Sequence, residues 1–398
     1  MKIAAVICEY NPFHKGHAYH LEETRKRTGC DYVVGIMSGN FVQRGEPAIL
    51  DKWTRARMAL SCGIDAIFEL PCVYALSSAQ YFAFGGVTLA DGLGVDVLSF
   101  GAESPLTSIR KMARVKCQPD YEQYLQRALA KGMTYPKAAT LAFGEDMGRI
   151  SPNDLLAIEY IAAIEQIEST VVPFAIPRAY AEHDGTSIQS GYASAKQIRA
   201  MLLKNESKEC VKDYVPIEVQ SILEQWVQQE RVITAGCFDQ LVIGVLRRMS
   251  LSELCSMPFA GGGFGELIHN SAGRVTTIDE LIAQCTSARY TSSRIRRFLF
   301  QIMIGIDRLL CKEPAPYGRI LGFRKESSKL IGALEERSRI PIVKSVASVR
   351  DCIDQYDSTF QSTFQLDLRA QDLYSTALLQ TNSKCSKRDY TTPMVILA

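Results

Sequence analysis

No apolar run in this chain approaches the ~20 residues that a membrane span needs. The best stretch, residues 298–310, is interrupted by Gln301, Asp307 and Arg308. The N-terminus lacks the long apolar region and cleavage site of a signal peptide. Twelve cysteines are present but no two form a C-x-x-C pair. Neither a zinc site nor a disulfide framework is therefore indicated, and reduced thiols in a cytoplasm fit best. No internal repeat and no low-complexity tract is visible. The net charge is only +2, too small by itself to specify a nucleic-acid partner.

What is present is a chain of 398 residues with 47% hydrophobic and 22% charged content. It is long enough for two domains and a sizeable core. Apolar runs at residues 2–8, 31–37, 64–70 and 95–100 read as strands buried on both faces, because β-branched and apolar residues follow one another without polar alternation. Helical patterns separate them, around residues 53–61 and 77–90. A fifth run, 170–176, contains Pro173, which demotes it to an edge strand or the start of one. Such alternation argues for an α/β fold, a Rossmann-like parallel sheet covered by helices, with ligands at the carboxyl ends of the strands. Residues 105–150 read as mostly helical, with breaks at Pro119, Gly132 and Gly144.

The stretch Asn11-Pro12-Phe13-His14-Lys15-Gly16-His17 follows the first strand and precedes a polar helical pattern. A strand, tight loop and helix start aim backbone N–H groups and a positive dipole end at one spot, a natural seat for phosphate. If the loop runs into a helical turn, His14 and His17 share one face. Both imidazoles can then donate hydrogen bonds to oxygens whose charge grows during attack at phosphorus. Gly16 lets a ligand approach the backbone. The loop at residues 38–51 is long and polar, carries Asn40, Gln43, Arg44 and Glu46, and reads as a lid or substrate contact. Ser151 reads as an N-cap with Pro152 at the first helical position and Asp154 in the first turn.

His14-Lys15-Gly16-His17 resembles the His-x-Gly-His signature of the nucleotidyltransferase superfamily. The wider strings at residues 9–17 and 37–48 resemble the bacterial tRNA(Met) cytidine acetate ligase family. That resemblance implies an ATP site formed by Ile7, Cys8, Glu9, Tyr10, Asn11, Pro12, Phe13, His14, Lys15, Gly16, His17, His20, Gly101, Asn153, Pro177 and Arg178, with His14 and His17 catalytic. Ser194, Lys196 and Arg199, in a string similar to the second superfamily signature, become phosphate-binding candidates. Lys196 stands where the family usually shows threonine.

The resemblance divides the chain into a catalytic ATP-binding domain, 1–205, and a mostly α-helical, tRNA-binding domain, 206–398. Residues 286–350 hold 14 Lys and Arg against 5 Asp and Glu, a surplus that attracts polyanions. Arg289, Arg294, Arg296 and Arg297 are tRNA-binding candidates, although their Ser-x-x-Ile-Arg surroundings equally suit ATP phosphates. Residues 261–265 depart from the family pattern and, with four glycines, suggest a mobile loop. Residues 391–398 end apolar and can dock as an extra strand.

The expected activity is ATP-dependent formation of acetyl-adenylate from acetate, then transfer of the acetyl group to N4 of the wobble cytidine of elongator tRNA(Met). ATP is a substrate; no residue pattern specifies a metal site, and a divalent ion such as Mg is compatible with the reaction but not derivable from the residues. The alternatives are a small-molecule adenylyltransferase and a catalytically inactive RNA-binding paralogue. Nothing in the residues speaks to oligomeric state.

Overall fold

The computed structural model describes residues 1–130, 133, 138, 141–143, 150–178, 192–204 and 209–398. Its strands are β1 (Ile3–Cys8), β2 (Tyr32–Ser38), β3 (Phe41–Val42), β4 (Glu46–Pro47), β5 (Ala66–Leu70), β6 (Val97–Ala102), β7 (Val172–Pro177), β8 (Gly318–Arg324), β9 (Ile342–Val343) and β10 (Val395–Leu397). The main sheet runs β10-β8-β5-β2-β1-β6-β7, with β9 beside β8, and β3 and β4 form a separate small hairpin. Pairing is parallel from β5 through β7, and β8 lies antiparallel against β5. The five strand expectations in the first half are each met within two residues. Gly101, expected just past a strand, lies inside β6. β7 carries Pro173 as its second residue and, among the described residues, pairs only with β6, so it is an edge strand of the sheet.

This order places the site. From β1 the chain moves outward through β2 and β5, then crosses back to β6 and β7 on the other side of β1. The reversal between β1 and β6 opens a crevice outside their carboxyl ends, where open α/β sheets bind ligands. The loop bearing His14 and the segment after Gly101 both emerge there.

The 38–51 segment is a packed strap rather than a free lid. Asn40, Phe41, Val42 and residues 48–51 are buried. The Asn40 carboxamide oxygen accepts from the Lys52 N–H at 2.8 Å, and Tyr374 donates its hydroxyl to the Ala48 carbonyl at 2.8 Å.

From Glu209 the elements are helical through Ile304, and the chain then returns to the sheet as β8, β9 and β10, so the sheet draws on both sides of the expected domain boundary. Residues 395–397 do dock as a strand, parallel to β8. The glycine-rich 261–265 segment is an ordered turn, not a loose loop. Gly262 and Gly263 take left-handed φ of 74° and 81°, and Tyr290 donates its hydroxyl to the Gly262 carbonyl at 2.6 Å. Pro119 does begin a helix, Pro119–Ala130; Gly132 and Gly144 lie outside the described residues. Among the described residues, no helix is long and apolar enough to cross a membrane, and eleven of the twelve cysteines, all but Cys210, are seen as free thiols.

The C-terminal segment is locked by buried charge. Lys52 reaches Glu69 and Asp389, each at 2.9 Å, and Arg319 reaches the same two carboxylates at 3.2 and 2.8 Å. All four side chains are almost fully buried. Removing one member of such a cluster leaves an uncompensated buried charge. Asp389→Ala is expected to lower the unfolding free energy by about 3–5 kcal/mol, read from urea denaturation. An unchanged midpoint would show that the cluster does not hold the C-terminal segment.

Candidate active site

The loop after β1 is built by packing. Tyr10 turns the chain with a left-handed φ of 46°. Its buried ring meets Phe13 at 4.7 Å and His17 at 4.9 Å between centroids. Asn11 accepts the Ile49 N–H on its side-chain oxygen at 2.9 Å, and the Asn11–Pro12 peptide is cis. Cys8 donates its thiol to the Ile36 carbonyl, and Ile7 packs against Gly86. The side chains of Ile7, Cys8, Tyr10, Asn11 and Phe13 therefore serve the core. The Glu9 carboxylate accepts the Gln43 N–H at 2.8 Å, and burial pushes its pKa up.

His14 is the N-cap of the helix Lys15–Thr28. Its Nδ1 accepts from the Gly16 N–H at 3.1 Å, while Nδ1 of His17 accepts from the His14 N–H at 3.2 Å. This is a capping box in which imidazoles replace the usual hydroxyl and carboxylate. A nitrogen that accepts carries no proton, so each neutral ring holds its proton on Nε2. The rings stack with centroids 3.6 Å apart and planes at 21°, presenting two Nε2–H donors side by side. The His14 ring, not a ligand, fills the space above Gly16. A Cβ there would lie 3.0 Å from the His14 Cε1.

Both rings are held neutral. Burial, then the Arg178 and Arg199 cations, pushes His14 down to about 3. Burial and the neighbouring His14 push His17 well below its usual value. His20, one turn further, lies 3.2 Å from the Ser99 hydroxyl, and burial followed by Arg178 pushes it down to about 4.

Of the other expected residues, Arg178 and Arg199 lie close enough to act on the charge of His14. Arg178 leaves the end of β7 with its N–H on the Ala102 carbonyl at 3.2 Å. Its side chain lies over Gly101, where a Cβ would meet the Arg178 Cγ at 3.5 Å. Pro177 pairs with Ala102. Asn153 donates to Glu103 at 2.9 Å, and buried Asp154 takes the N–H groups of Glu103 and Ser104 at 2.8 and 3.1 Å. Asp154 thus fixes the helix Pro152–Gln166 to the end of β6. Ser194 caps the helix Ala195–Leu203 and, like Lys196, is exposed. Arg199 points back at the loop, donating to the Asn11 carbonyl at 3.0 Å.

The arginines at the start of the helix Ser292–Ile304 do not form an outward row. Arg297 donates to the Gln43 carbonyl at 3.2 Å, and burial, then Arg294, pushes it down to about 10. Arg296 pairs with Glu46 at 3.0 Å. Arg294 lies over the rings of Phe264 and Tyr290. Arg289 is the most exposed of the four. Much of the basic surplus at 286–350 is neutralised internally: Arg319 by Glu69 and Asp389, Arg337 by Asp96, and Arg339 by Asp91.

Arg55 escaped the sequence reading. It is fully buried and donates to the carbonyls of Glu9 at 2.6 Å, of Leu50 and Ser38 at 3.1 Å, and of Gly39. It ties the carboxyl ends of β1 and β2 together. The available signal was spacing: Met58 and Ala59, three and four residues on, share its buried helix face, whereas Arg57 is exposed.

Cap and donor roles are separable. His17→Asn retains an acceptor near the Nδ1 position but lacks the distal N–H; His17→Ala lacks both. Thermal melts should show His17→Ala losing about 1 kcal/mol, the cost of a missing cap, and His17→Asn losing less. Both should lose affinity for a triphosphate by titration calorimetry. Acidification has a defined sign: below about pH 6.5 the unfolded histidines bind protons that the folded ones refuse, so stability falls as pH drops from 7 to 5. A melting temperature independent of pH over that range would contradict neutral histidines.

Residues 1–389 match the family described as HIGH Nucleotidyl Transferase. Over full length on both sides, the chain is 39% identical to the tRNA(Met) cytidine acetate ligase of Caldanaerobacter subterraneus subsp. tengcongensis and 35% identical to that of a Thermoanaerobacter species. Its fold superposes along the entire length of both chains on a crystal structure of Thermotoga maritima TmcAL in the apo form, with a TM-score of 0.93 at 29% identity. The form of that protein bound with alpha-thio ATP gives 0.91 at 28% identity, again over both whole chains. The chain belongs to the HIGH nucleotidyl transferase family and, within it, to the tRNA(Met) cytidine acetate ligases.

Proposed function

We propose that this protein activates acetate with ATP and acetylates N4 of the wobble cytidine of elongator tRNA(Met). The observation that carries this reading is the stacked pair of neutral imidazoles at the switch point of the sheet, with Arg178 and Arg199 close enough to depress the His14 pKa. The α-phosphate of ATP lies against the two Nε2–H groups. An acetate oxygen attacks the α-phosphorus, the bond to the β-phosphate oxygen breaks, and acetyl-adenylate and pyrophosphate form. Acetate is already ionised and needs no general base. The rate gain comes from orientation and from fixed donors facing the growing charge on the non-bridging oxygens.

Neutral imidazoles suit this role. They donate hydrogen bonds without giving up a proton, and the protein pays for their orientation in the helix cap. In the second half-reaction the cytidine N4 attacks the acetyl carbonyl, AMP leaves, and a proton departs from nitrogen to solvent. The phosphate that leaves is the one His14 and His17 already hold, so one donor pair serves both steps. We further assign the exposed Arg289, and the helical part of the chain after residue 205, to the tRNA.

Incubation with ATP, labelled acetate and bulk tRNA tests this reading. Label in tRNA supports it. Adenylylation of a small molecule without use of acetate would point to the adenylyltransferase alternative, and tRNA binding without turnover to an inactive paralogue. His14→Ala and His17→Ala should each slow acetyl-adenylate formation about 10²–10³-fold, the scale of losing one transition-state donor. Near-native rates in both would remove the imidazoles from the mechanism.

A further inference from the structure

Glu46, the first residue of β4, is shared by two guanidinium groups from distant parts of the chain. Its Oε1 accepts from Nη1 of Arg296 at 3.0 Å, and its Oε2 lies 3.6 Å from Nη2 of Arg199. Arg199 is the same residue that donates to the Asn11 carbonyl in the histidine loop and whose charge helps keep His14 neutral. A single carboxylate therefore holds two cations, one of them tied directly to the loop that carries the imidazoles.

The backbone around Glu46 is fixed. Gly45 has a left-handed φ of 74° and lies so close to the helix Ser292–Ile304 that a Cβ would stand 2.3 Å from the Arg297 nitrogen. Arg297 also donates to the Gln43 carbonyl at 3.2 Å. The main chains of the β3–β4 hairpin and of that helix are thus locked together. The Glu46 side chain, about one-quarter exposed, is the part that can move by rotation alone.

We propose that Arg296 joins Arg199 in binding the β- and γ-phosphates of ATP and the pyrophosphate released from it, and that Glu46 is an internal anion competing for the same two guanidinium groups. This rests on the ATP-dependent reading above. The chemistry follows from charge and shape. Two guanidinium groups with one carboxylate retain a positive charge, and pyrophosphate offers more negative charge and more acceptor oxygens than a carboxylate. While phosphates occupy the arginines, Glu46 swings aside; its return favours pyrophosphate release. The helix Ser292–Ile304, from the second half of the chain, thereby contributes a ligand to the nucleotide site.

The test is calorimetric titration of the full chain with ATP and, separately, with inorganic pyrophosphate. Glu46→Gln removes the competing charge at nearly constant volume and should tighten pyrophosphate about tenfold; Arg296→Ala should weaken both ligands by about the same factor, the size of one charge-assisted hydrogen bond. In the double variant the gain from Glu46→Gln should shrink, because the two residues are coupled. Should Arg296→Ala fail to fold, Arg296→Lys keeps the charge without the planar fork and should still weaken pyrophosphate. Unchanged or weaker pyrophosphate binding by Glu46→Gln would overturn the competition. Unchanged ATP affinity in the Arg296 variants with weakened tRNA binding would assign that arginine to RNA instead. Wild-type protein that binds no ATP would overturn the functional reading itself, a result separable from the other two.

Discussion

The reciprocal cap between His14 and His17 is the constraint on which the site depends. A helix start leaves N–H groups without partners, and in this protein two of them are taken by imidazole nitrogens. The consequence reaches beyond helix stability. Using Nδ1 as an acceptor fixes the tautomer, and the tautomer puts a donor on the far side of each ring. Burial first, then Arg178 and Arg199 at His14 and the neighbouring histidines and Arg178 at His17, keep the rings from charging. Cap, tautomer and charge state are one arrangement, set by a three-residue spacing and by a glycine small enough to lie under the His14 ring.

That arrangement needs a rigid platform, and the protein provides it with polar groups in unusual places. A buried guanidinium is costly unless its donors are satisfied. Arg55 meets the requirement with backbone carbonyls instead of a carboxylate, and those carbonyls belong to the ends of β1 and β2. Asn11, Asn40 and Tyr374 extend the same principle along the 38–51 strap by bonding main-chain groups that have no place in a sheet. Farther out, Lys52, Glu69, Arg319 and Asp389 bind the C-terminal segment to the same helix that carries Arg55. The second half of the chain is thus integral to the frame around the histidine loop.

The core strands and the histidine loop were legible in the sequence because each is specified locally. Runs such as residues 3–8 read as buried strands, and Pro173 confines β7 to an edge or a strand start. The His-x-Gly-His string carries its own cap geometry, although which nitrogen accepts emerges only from coordinates. Residues 318–324 hid as a strand because two glycines and two arginines break the apolar pattern, and their pairing with β5 is a long-range event. Arg296 and Arg297 read equally as RNA or phosphate ligands. Only packing against Gly45 and Gln43 turns them inward. The internal neutralisation of the basic stretch was hidden for a similar reason: the partners Asp91, Asp96, Glu69 and Asp389 are distant from it in sequence.

The proton positions on the two imidazoles are open to direct observation. Long-range ¹H–¹⁵N correlation spectra of ¹⁵N-histidine-labelled protein, assigned with single His variants, report charge and tautomer for each ring. From pH 7 to pH 5, His14 and His17 should both remain neutral with the proton on Nε2. A ring that becomes charged near pH 6.5, or that carries its proton on Nδ1, would contradict the capped, neutral donor pair.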